Sequence, residues 1–182
     1  MYTEYQTERL ILRILTPNYY KDVLEFQMKN RDIFEQYEPT RPLDFYSCSY
    51  QINLLRCEYK MAQRLTTVRF YVFSRQDPYT IIGTVCLHNI TRAAYECCEI
   101  GYKFDRDWQH HGYAREAVDK VISIAFYELR LHRVFARVSL DNAASIKLLD
   151  SLHFKEEGIE QASILIRGKW TDHMRYALLH PH

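Results

Sequence analysis

The pattern of apolar and polar positions in the first third of the chain predicts a strand followed by two helices. A strand is predicted over Arg9–Ile14, where a short apolar run lies between two arginines. A helix is predicted over Thr16–Asn30, because Pro17 suits the first turn of a helix, where backbone N–H groups have no helical partner. A second helix is predicted over Ser49–Arg64. The connection between the helices, Arg31–Tyr46, contains two prolines and is predicted to be irregular.

The middle of the chain predicts three consecutive strands and then the longest helix. The strand patterns cover Val68–Ser74, Thr80–Asn89 and Tyr95–Phe104, with turn-forming residues between them. Over Ala114–Arg130, apolar residues recur three and four positions apart, which places them on one side of a helix. We expect this apolar stripe to pack against the sheet.

The last third of the chain predicts a buried strand over Val134–Val138, a short helix and a closing hairpin. The helix is expected over Asp141–Leu152, because aspartate and asparagine favour helix N-termini. The hairpin pairs Phe154–Ile166 with Lys169–Leu179. The order β-α-α-β-β-β-α-β-α-β-β predicts an α/β (α+β) fold, a mixed sheet with helices on both faces. No repeat or linker interrupts the sequence, so a single domain over residues 1–182 is expected.

Composition and charge place the chain among globular proteins and limit its partners. Of 182 residues, 47% are hydrophobic and 26% are charged, and the 24 basic and 23 acidic side chains leave a net charge of +1. This balance favours neither nucleic acid nor an anionic membrane as a partner. No apolar run approaches the ~20 residues of a membrane-spanning helix. Glu4, Glu8 and Arg9 make the first residues unlike a secretory signal.

The cysteines and histidines predict neither a disulfide scaffold nor a metal site. The five cysteines are odd in number and form no C-x-x-C pair, so a reducing, cytoplasmic environment is expected. His110 and His111 are adjacent and lack the i,i+4 spacing of helical zinc motifs. The common glycine-rich nucleotide motifs are absent from the sequence.

The segment Asp105–Ala117 joins a predicted strand to the longest helix and is the strongest candidate for a binding loop. Unpaired N–H groups and a partial positive charge at a helix N-terminus attract anions. Gly112 has no side chain to keep an anion away, so a pyrophosphate fits there. A plain strand-to-helix turn is the alternative interpretation of the same residues.

Five motifs resemble those of one family, in the same order and spacing. Gln109–Ala114 fits the motif Q/R-x-x-G-x-G/A, and Cys98–Tyr102 resembles A-E-I-G-Y. Thr7–Arg13 resembles the family's opening strand, Asp141–Ser145 its D-N-x-x-S helix start, and Gly168–His173 the ending G-x-W-x-D-H. On these motifs the chain resembles the GNAT acetyltransferases. On the last of them it resembles the branch that acetylates the N-termini of ribosomal proteins.

Two positions depart from the pattern of that branch. Gln109 stands where the branch usually has glycine, although glutamine satisfies the wider family motif. His153 replaces the glycine of an L-G-F sequence, which introduces strain if the residue must be left-handed. Neither change removes a chemical group from the expected site.

The resemblance implies a fold and a reaction. The fold is a mixed, mostly antiparallel, twisted sheet of about seven strands. The reaction transfers acetyl from acetyl-CoA, as cosubstrate, directly to a primary amine without a metal. No cysteine lies in Gln109–Ala114 or in the helix of Ser145, so no acyl-cysteine intermediate is expected. The chain is expected to act as a monomer or a homodimer.

The resemblance also implies which residues bind the coenzyme. The pyrophosphate is expected at the loop and the helix start, on Gln109, His110, His111, Gly112, Tyr113, Ala114 and Arg115. Tyr102 and Phe104 are expected to offer backbone groups to the pantetheine, with side chains that are packed. Asn142 is expected to hold the pantetheine arm or to cap its own helix.

Glu99 and Ser145 are the catalytic candidates. Glu99 is expected to receive the proton of the amine, directly or through water, or else to form an ion pair at the edge of the core. Glu96, His88 and His132 are weaker candidates for that role. Ser145 shares a helix face with leucines, so its hydroxyl requires a partner. That partner is the coenzyme thiol, as the resemblance implies, or a carbonyl one turn earlier.

The expected acceptor is the α-amine of a protein N-terminus, with polyamines and aminoglycosides as alternatives. A non-catalytic coenzyme A sensor is the alternative from another functional class. The acceptor pocket is expected to form from residues 31–46, where four aromatic side chains either line it or pack between the helices: Phe34, Tyr37, Phe45 and Tyr46. Three acidic side chains of this segment are expected to attract a cationic acceptor: Glu35, Glu38 and Asp44.

Overall fold

The computed structural model describes residues 1–180, and its strands form one eight-stranded sheet in the order β1-β2-β3-β4-β5-β6-β8-β7. The strands are β1 (Glu4–Gln6), β2 (Leu10–Arg13), β3 (Val68–Ser74), β4 (Ile81–Thr91), β5 (Cys97–Phe104), β6 (Arg133–Ser139), β7 (Lys155–Ile166) and β8 (Lys169–Leu179). The helices are α1 (Tyr20–Lys29), α2 (Arg31–Phe34), α3 (Cys48–Gln63), α4 (Tyr113–Ser123) and α5 (Ala143–Ser151). Within residues 1–180, no helix has both the length and the apolar character that crossing a membrane requires.

One pair of strands opens a gap in the sheet. Neighbouring strands run antiparallel except β5 and β6, which are parallel. Their pairing covers Cys97–Glu99 against Arg133–Phe135 and ends there. Since β5 continues to Phe104 and β6 to Ser139, the two strands diverge beyond Glu99. We call this gap the wedge, and Glu99 lies at its apex.

Two hydrophobic clusters cover the two faces of the sheet. On one face, Val121 of α4 and Leu149 of α5 belong to the cluster that contains Ile100 of β5. On the other face, Phe26 of α1 and Leu55 of α3 belong to a separate cluster. Burying side chains of this size contributes roughly 1.5–3 kcal/mol each. We call the two sides the α4/α5 face and the α1/α3 face.

The alternation of β5 decides which side chains reach which face. Ile100 and Phe104 belong to the cluster on the α4/α5 face, together with the partly buried Tyr102. Successive side chains of a strand point to opposite faces, so Glu99 and Lys103 point to the α1/α3 face. The Nζ atom of Lys103 accordingly lies 4.4 Å from the ring centroid of Phe34 in α2.

The predicted mixed sheet with helices on both faces is confirmed, and the differences are local. The prediction omits β1, whose three residues are too few to show a period of two. The one-turn helix α2 lies in the segment predicted to be irregular. The prediction continues α4 as an α-helix to Arg130, but the backbone becomes π-helical over Ile124–Glu128. There the N–H of Leu129 donates to the carbonyl of Ile124 at 2.9 Å.

The turn after α5 contains a left-handed residue that is not glycine. His153 has a φ of +65°, a conformation that costs an L-residue about 1–2 kcal/mol. The N–H of Phe154 donates to the carbonyl of Leu149 at 3.1 Å and closes the turn. The strain predicted for His153 is therefore present.

Candidate active site

The loop between β5 and α4 has left-handed backbone at two positions. His110 has a φ of +64°, and Gly112, which immediately precedes α4, has a φ of +78°. A Cβ atom on Gly112 would also lie 3.3 Å from Nη2 of Arg9, which is a tight contact. The backbone and its surroundings therefore favour glycine at this position.

Arg9 stabilises the loop between β5 and α4 through side-chain contacts, a role that the sequence does not predict. Its Nη1 donates to the carbonyl of His111 at 2.9 Å, and its Nε pairs with Glu116 at 2.7 Å. Its guanidinium lies 4.7 Å from the ring centroid of Tyr113. Burial alone would raise the pKa of Glu116, but hydrogen bonds from Thr7 and Arg9 outweigh burial and lower that pKa. The ion pair thus ties the start of β2 to the first turn of α4.

The loop has the features of an anion site. Residues 109–112 are exposed, and the N–H groups of Tyr113–Arg115 open α4 without an acceptor inside the helix. The positive end of the helix dipole lies at the same point. The side chain of Gln109 forms a hydrogen bond within the loop, in which its Nε2 donates to the carbonyl of Phe104 at 3.2 Å. We therefore expect Gln109 to shape the loop and the helix N–H groups to meet the anion.

One edge of β5 is open along the wedge. Among the described residues, Ile100–Phe104 has no ladder partner on the β6 side, so backbone groups of this stretch are open to the wedge. The side chain of Phe104 is packed, as predicted, and it fills the space beside Gly83. A Cβ atom on Gly83 would lie 2.4 Å from the Phe104 ring.

On the α4/α5 face of the wedge, Asn142 and Ser145 begin α5. The side chain of Asn142 accepts a hydrogen bond from the N–H of Ser145 at 3.1 Å, so it caps the helix. The Oγ atom of Ser145 lies 2.7 Å from the hydroxyl oxygen of Tyr102. In the described part of the chain this tyrosine, not a carbonyl one turn earlier, is the partner of the serine hydroxyl.

The Tyr102 side chain packs against the core, as predicted, and it also makes a polar contact that the sequence does not predict. Its hydroxyl joins β5 to α5 across the coenzyme side of the expected site. Burial raises the pKa of Tyr102 well above its ordinary value, and the hydrogen bond with Ser145 offsets part of that rise. The phenol consequently keeps its hydrogen throughout the neutral range.

Glu99 lies on the α1/α3 face and is 6% exposed. Its carboxylate accepts hydrogen bonds from Asn89 at 3.2 Å and from Arg137 at 3.1 Å, and Nδ1 of His88 lies 3.8 Å away. The ion pair expected as an alternative role is present. Burial lowers the pKa of His88, Glu99 opposes that shift, and Arg137 adds to it. The site therefore holds a carboxylate beside a neutral imidazole, two groups that accept protons.

Glu96 and His132 lie at the other end of β5. Glu96 precedes the strand and pairs with Arg92 at 3.1 Å on the surface. The backbone N–H of His132 donates to the carbonyl of Glu96 at 2.7 Å. The structure brings neither residue to the wedge. Across residues 1–180, no group of three or more His, Cys, Asp and Glu side chains is placed to hold a metal ion.

Arginine and glutamate side chains alternate across the α1/α3 face beyond the apex. Arg137 of β6 pairs with Glu160 of β7 at 2.8 Å, and Glu160 pairs with Arg175 of β8 at 3.0 Å. Glu157 lies 3.5 Å from Arg175 and also pairs with Arg133. We call these five residues the charge ladder. Every charge in it has a neighbour of opposite sign, and no single motif in the sequence predicts it.

The four aromatic candidates for the acceptor pocket divide into two pairs. Phe34 and Phe45 are 6% and 2% exposed, so for them the structure favours packing over pocket lining. Tyr37 and Tyr46 are half-buried. The hydroxyl of Tyr46 donates to the carboxylate of Glu35 at 2.8 Å.

The acidic side chains Glu35 and Glu38 have internal cationic partners. Glu35 pairs with Arg31 at 3.0 Å. Glu38 pairs with Lys103 at 2.8 Å and also with Arg41. Burial alone would raise the pKa of Glu38, but the two cations outweigh burial and lower that pKa. The charges of both carboxylates are therefore compensated within the protein, and their attraction of a cationic acceptor stays a prediction.

Comparison with known proteins adds family information to this geometry. A model of the Acetyltransferase (GNAT) domain matches residues 9–155. The chain is 35% identical over 158 residues to the Probable N-acetyltransferase YjcK of Bacillus subtilis, covering 87% of each chain. It is 28% identical over 176 residues to the [Ribosomal protein uS5]-alanine N-acetyltransferase of Escherichia coli, covering 96% of this chain and 90% of the relative. The crystal structure of the ribosomal-protein-S5-alanine acetyltransferase of Vibrio fischeri superposes with a TM-score of 0.91 at 27% identity, covering 97% and 96% of the two chains.

Proposed function

The chain belongs to the GNAT acetyltransferases, and from this premise we propose that its acceptor is the α-amine at a protein N-terminus. Acetyl-CoA-dependent N-acetyl transfer follows from the family, and the choice of acceptor is the proposal. The relative named for the alanine of ribosomal protein uS5 supports that choice. The observation that carries it is the balanced charge on the α1/α3 face of the wedge.

The coenzyme fits the loop and the wedge. The exposed residues 109–112 and the unpaired N–H groups that open α4 suit a pyrophosphate. The open edge of β5 suits the amide groups of a pantetheine arm. When bound, acetyl-CoA supplies a thioester, and the amine nitrogen bonds to its carbonyl carbon as the C–S bond breaks and its electron pair passes to sulfur.

Two residues on opposite faces of the wedge handle the protons. Glu99 takes the proton that nitrogen loses, directly or through water, while Asn89 and Arg137 hold its carboxylate in place. Ser145 offers its hydroxyl to the sulfur, which gains one proton. One proton leaves nitrogen and one reaches sulfur, so the step is balanced, and solvent restores both side chains.

The charge pattern of the acceptor side favours an amine with a single charge. The carboxylates Glu38, Glu99 and Glu160 each contact at least one cationic side chain. A polyamine requires several uncompensated carboxylates to replace its hydration. An α-amine has a pKa near ~8, against ~10.4 for lysine, so one weak proton acceptor suffices to deprotonate it.

Two elements bound this side of the sheet. The tip of the β7–β8 hairpin reaches α2, where Nε of Arg167 donates to the carbonyl of Glu35 at 3.1 Å. The segment 31–46 therefore contacts the tip of the hairpin, and the two elements together border the acceptor side.

The test is thiol release from acetyl-CoA with four acceptors: a peptide with a free N-terminus and an internal lysine, the same peptide with a blocked N-terminus, a polyamine and an aminoglycoside. We expect turnover with the free peptide and none with the blocked one. A preference for the polyamine or the aminoglycoside would overturn the choice of acceptor. Coenzyme binding without turnover of any acceptor would instead fit a non-catalytic sensor.

A further inference from the structure

Tyr102 and Ser145 form a hydrogen bond that links the two elements on the coenzyme side of the wedge. Their side-chain oxygens lie 2.7 Å apart, although the residues are 43 positions apart in the chain. Tyr102 extends from β5 and Ser145 from the first turn of α5. This contact is separate from the backbone role that the sequence predicts for Tyr102.

Ser145 is held from two directions. The Asn142 side chain accepts a hydrogen bond from its backbone N–H at 3.1 Å, which fixes the start of the helix. The tyrosine hydroxyl fixes the position of Oγ. Serine hydroxyls in helices commonly donate to the carbonyl one turn earlier, which would consume the hydrogen. Within residues 1–180 the contact with Tyr102 replaces that bond.

The direction of the hydrogen bond decides what Ser145 can do. A phenol is a stronger donor than an aliphatic alcohol, because it is the more acidic of the two. Burial keeps the Tyr102 phenol in its protonated, donating form. The carbonyl oxygen of Ser145 is a second acceptor for this hydroxyl at 3.4 Å, but Oγ is much closer at 2.7 Å. The favoured arrangement therefore has Tyr102 donating to Oγ of Ser145, and the serine keeps its own hydrogen for another acceptor.

We infer that Tyr102 is a positioning residue that orients the Ser145 hydroxyl so that its hydrogen points to the sulfur of the coenzyme. This inference rests on the proposed role of Ser145. Tyr102 acts through Ser145, so its hydroxyl matters when negative charge develops on sulfur. Binding of acetyl-CoA does not depend on that hydroxyl.

The experiment is a double-mutant cycle with Tyr102→Phe, Ser145→Ala and the double variant, each assayed by thiol release with a saturating peptide acceptor. We expect Tyr102→Phe to lower kcat about 10-fold and to leave KM for acetyl-CoA within about threefold, as for an interaction realised in the transition state. We expect Ser145→Ala to lower kcat more, and the added Tyr102→Phe change to have no further effect in that background.

Tyr176→Phe is the matched control. Tyr176 is also buried, at 1% exposure, and its hydroxyl donates to the carboxylate of Glu156 at 2.9 Å. The control removes a buried phenol of the same cluster whose hydroxyl bonds to Glu156 and not to Ser145, so we expect a lower Tm with kcat within about twofold of the parent. An unchanged kcat in Tyr102→Phe would overturn the inference. Equal losses from Tyr102→Phe with and without the serine would overturn it as well.

A second variant keeps the test valid should Tyr102→Phe fold poorly. A fluorinated tyrosine at position 102 keeps the shape of the side chain and ionises at lower pH. Once ionised it can only accept, so Ser145 donates to it and loses the hydrogen meant for sulfur. We expect a new fall in kcat at alkaline pH, absent from the parent and from the Ser145→Ala background. An unchanged pH profile would refute the inference, whereas a parent enzyme without turnover would refute the proposed function instead.

Discussion

Replacing Gly112 by aspartate should weaken coenzyme binding far more than it weakens folding. The left-handed backbone, with φ of +78°, costs an L-residue about 1–2 kcal/mol of stability. The new Cβ would lie 3.3 Å from Nη2 of Arg9, and the carboxylate gains this guanidinium as a neighbour, which offsets part of the cost. A carboxylate about 5 Å from a phosphate charge repels it by about 1–3 kcal/mol at effective dielectric constants of about 20–80. We therefore expect the Kd for coenzyme A to rise about 10- to 100-fold.

Isothermal titration with coenzyme A measures this change, and two variants separate its causes. Gly112→Ala adds the backbone strain without the charge, so its Kd should lie between those of the parent and Gly112→Asp. Gly168→Asp adds the backbone strain and the negative charge at the tip of the β7–β8 hairpin. There φ is +76° and no contact within 4 Å awaits the new Cβ. That control should lower Tm and leave the Kd unchanged. A folded Gly112→Asp protein that binds coenzyme A within about twofold of the parent would show that the pyrophosphate lies elsewhere.

Three further predictions concern catalysis, strain and pH. Glu99→Gln should lower kcat about 100-fold in the thiol-release assay with KM for acetyl-CoA nearly unchanged, and an unaltered kcat would contradict its role as proton acceptor. His153→Gly should relieve left-handed strain and raise Tm by about 1–3 °C without changing kcat; a lower Tm would contradict the strain argument. Burial alone would raise the pKa of Asp105, but hydrogen bonds from Lys29 and Asn30 lower it, so the folded chain binds fewer protons there than the unfolded chain. Stability should therefore be full above about pH 5 and fall as the pH drops through ~4 and below, and Asp105→Asn should flatten this part of a Tm-against-pH curve.

Long periodic segments and local motifs are the features that the sequence predicts best. The apolar stripe of α4 is visible in the sequence because the helix packs one side against the sheet. Gly112 is visible as a motif residue, and the structure explains it by the left-handed backbone before α4. The short strand β1 is not predicted, because its three residues show no pattern of their own. It is stabilised by pairing with β2, in which Tyr5 lies opposite Leu12. The π-helical end of α4 likewise leaves no pattern in the order of residue types.

Side-chain contacts between distant elements are the features that the sequence does not predict. The pairing of Arg137 with Glu160 requires knowing that β6 lies beside β8 and β8 beside β7. Arg9 reaches the loop before α4 because β2 and that helix meet in three dimensions. The contact between Tyr102 and Ser145 depends on how far β5 and β6 diverge, and strand divergence has no local sequence signal.

The most direct test of the proposed acceptor is to map the acetyl group on a peptide that offers both a free α-amine and an internal lysine. The peptide is incubated with the enzyme and acetyl-CoA, and the product is fragmented by tandem mass spectrometry. We predict a single acetyl group on the N-terminal nitrogen. Acetylation of the lysine side chain, or no transfer to the peptide under conditions in which a polyamine is acetylated, would contradict it.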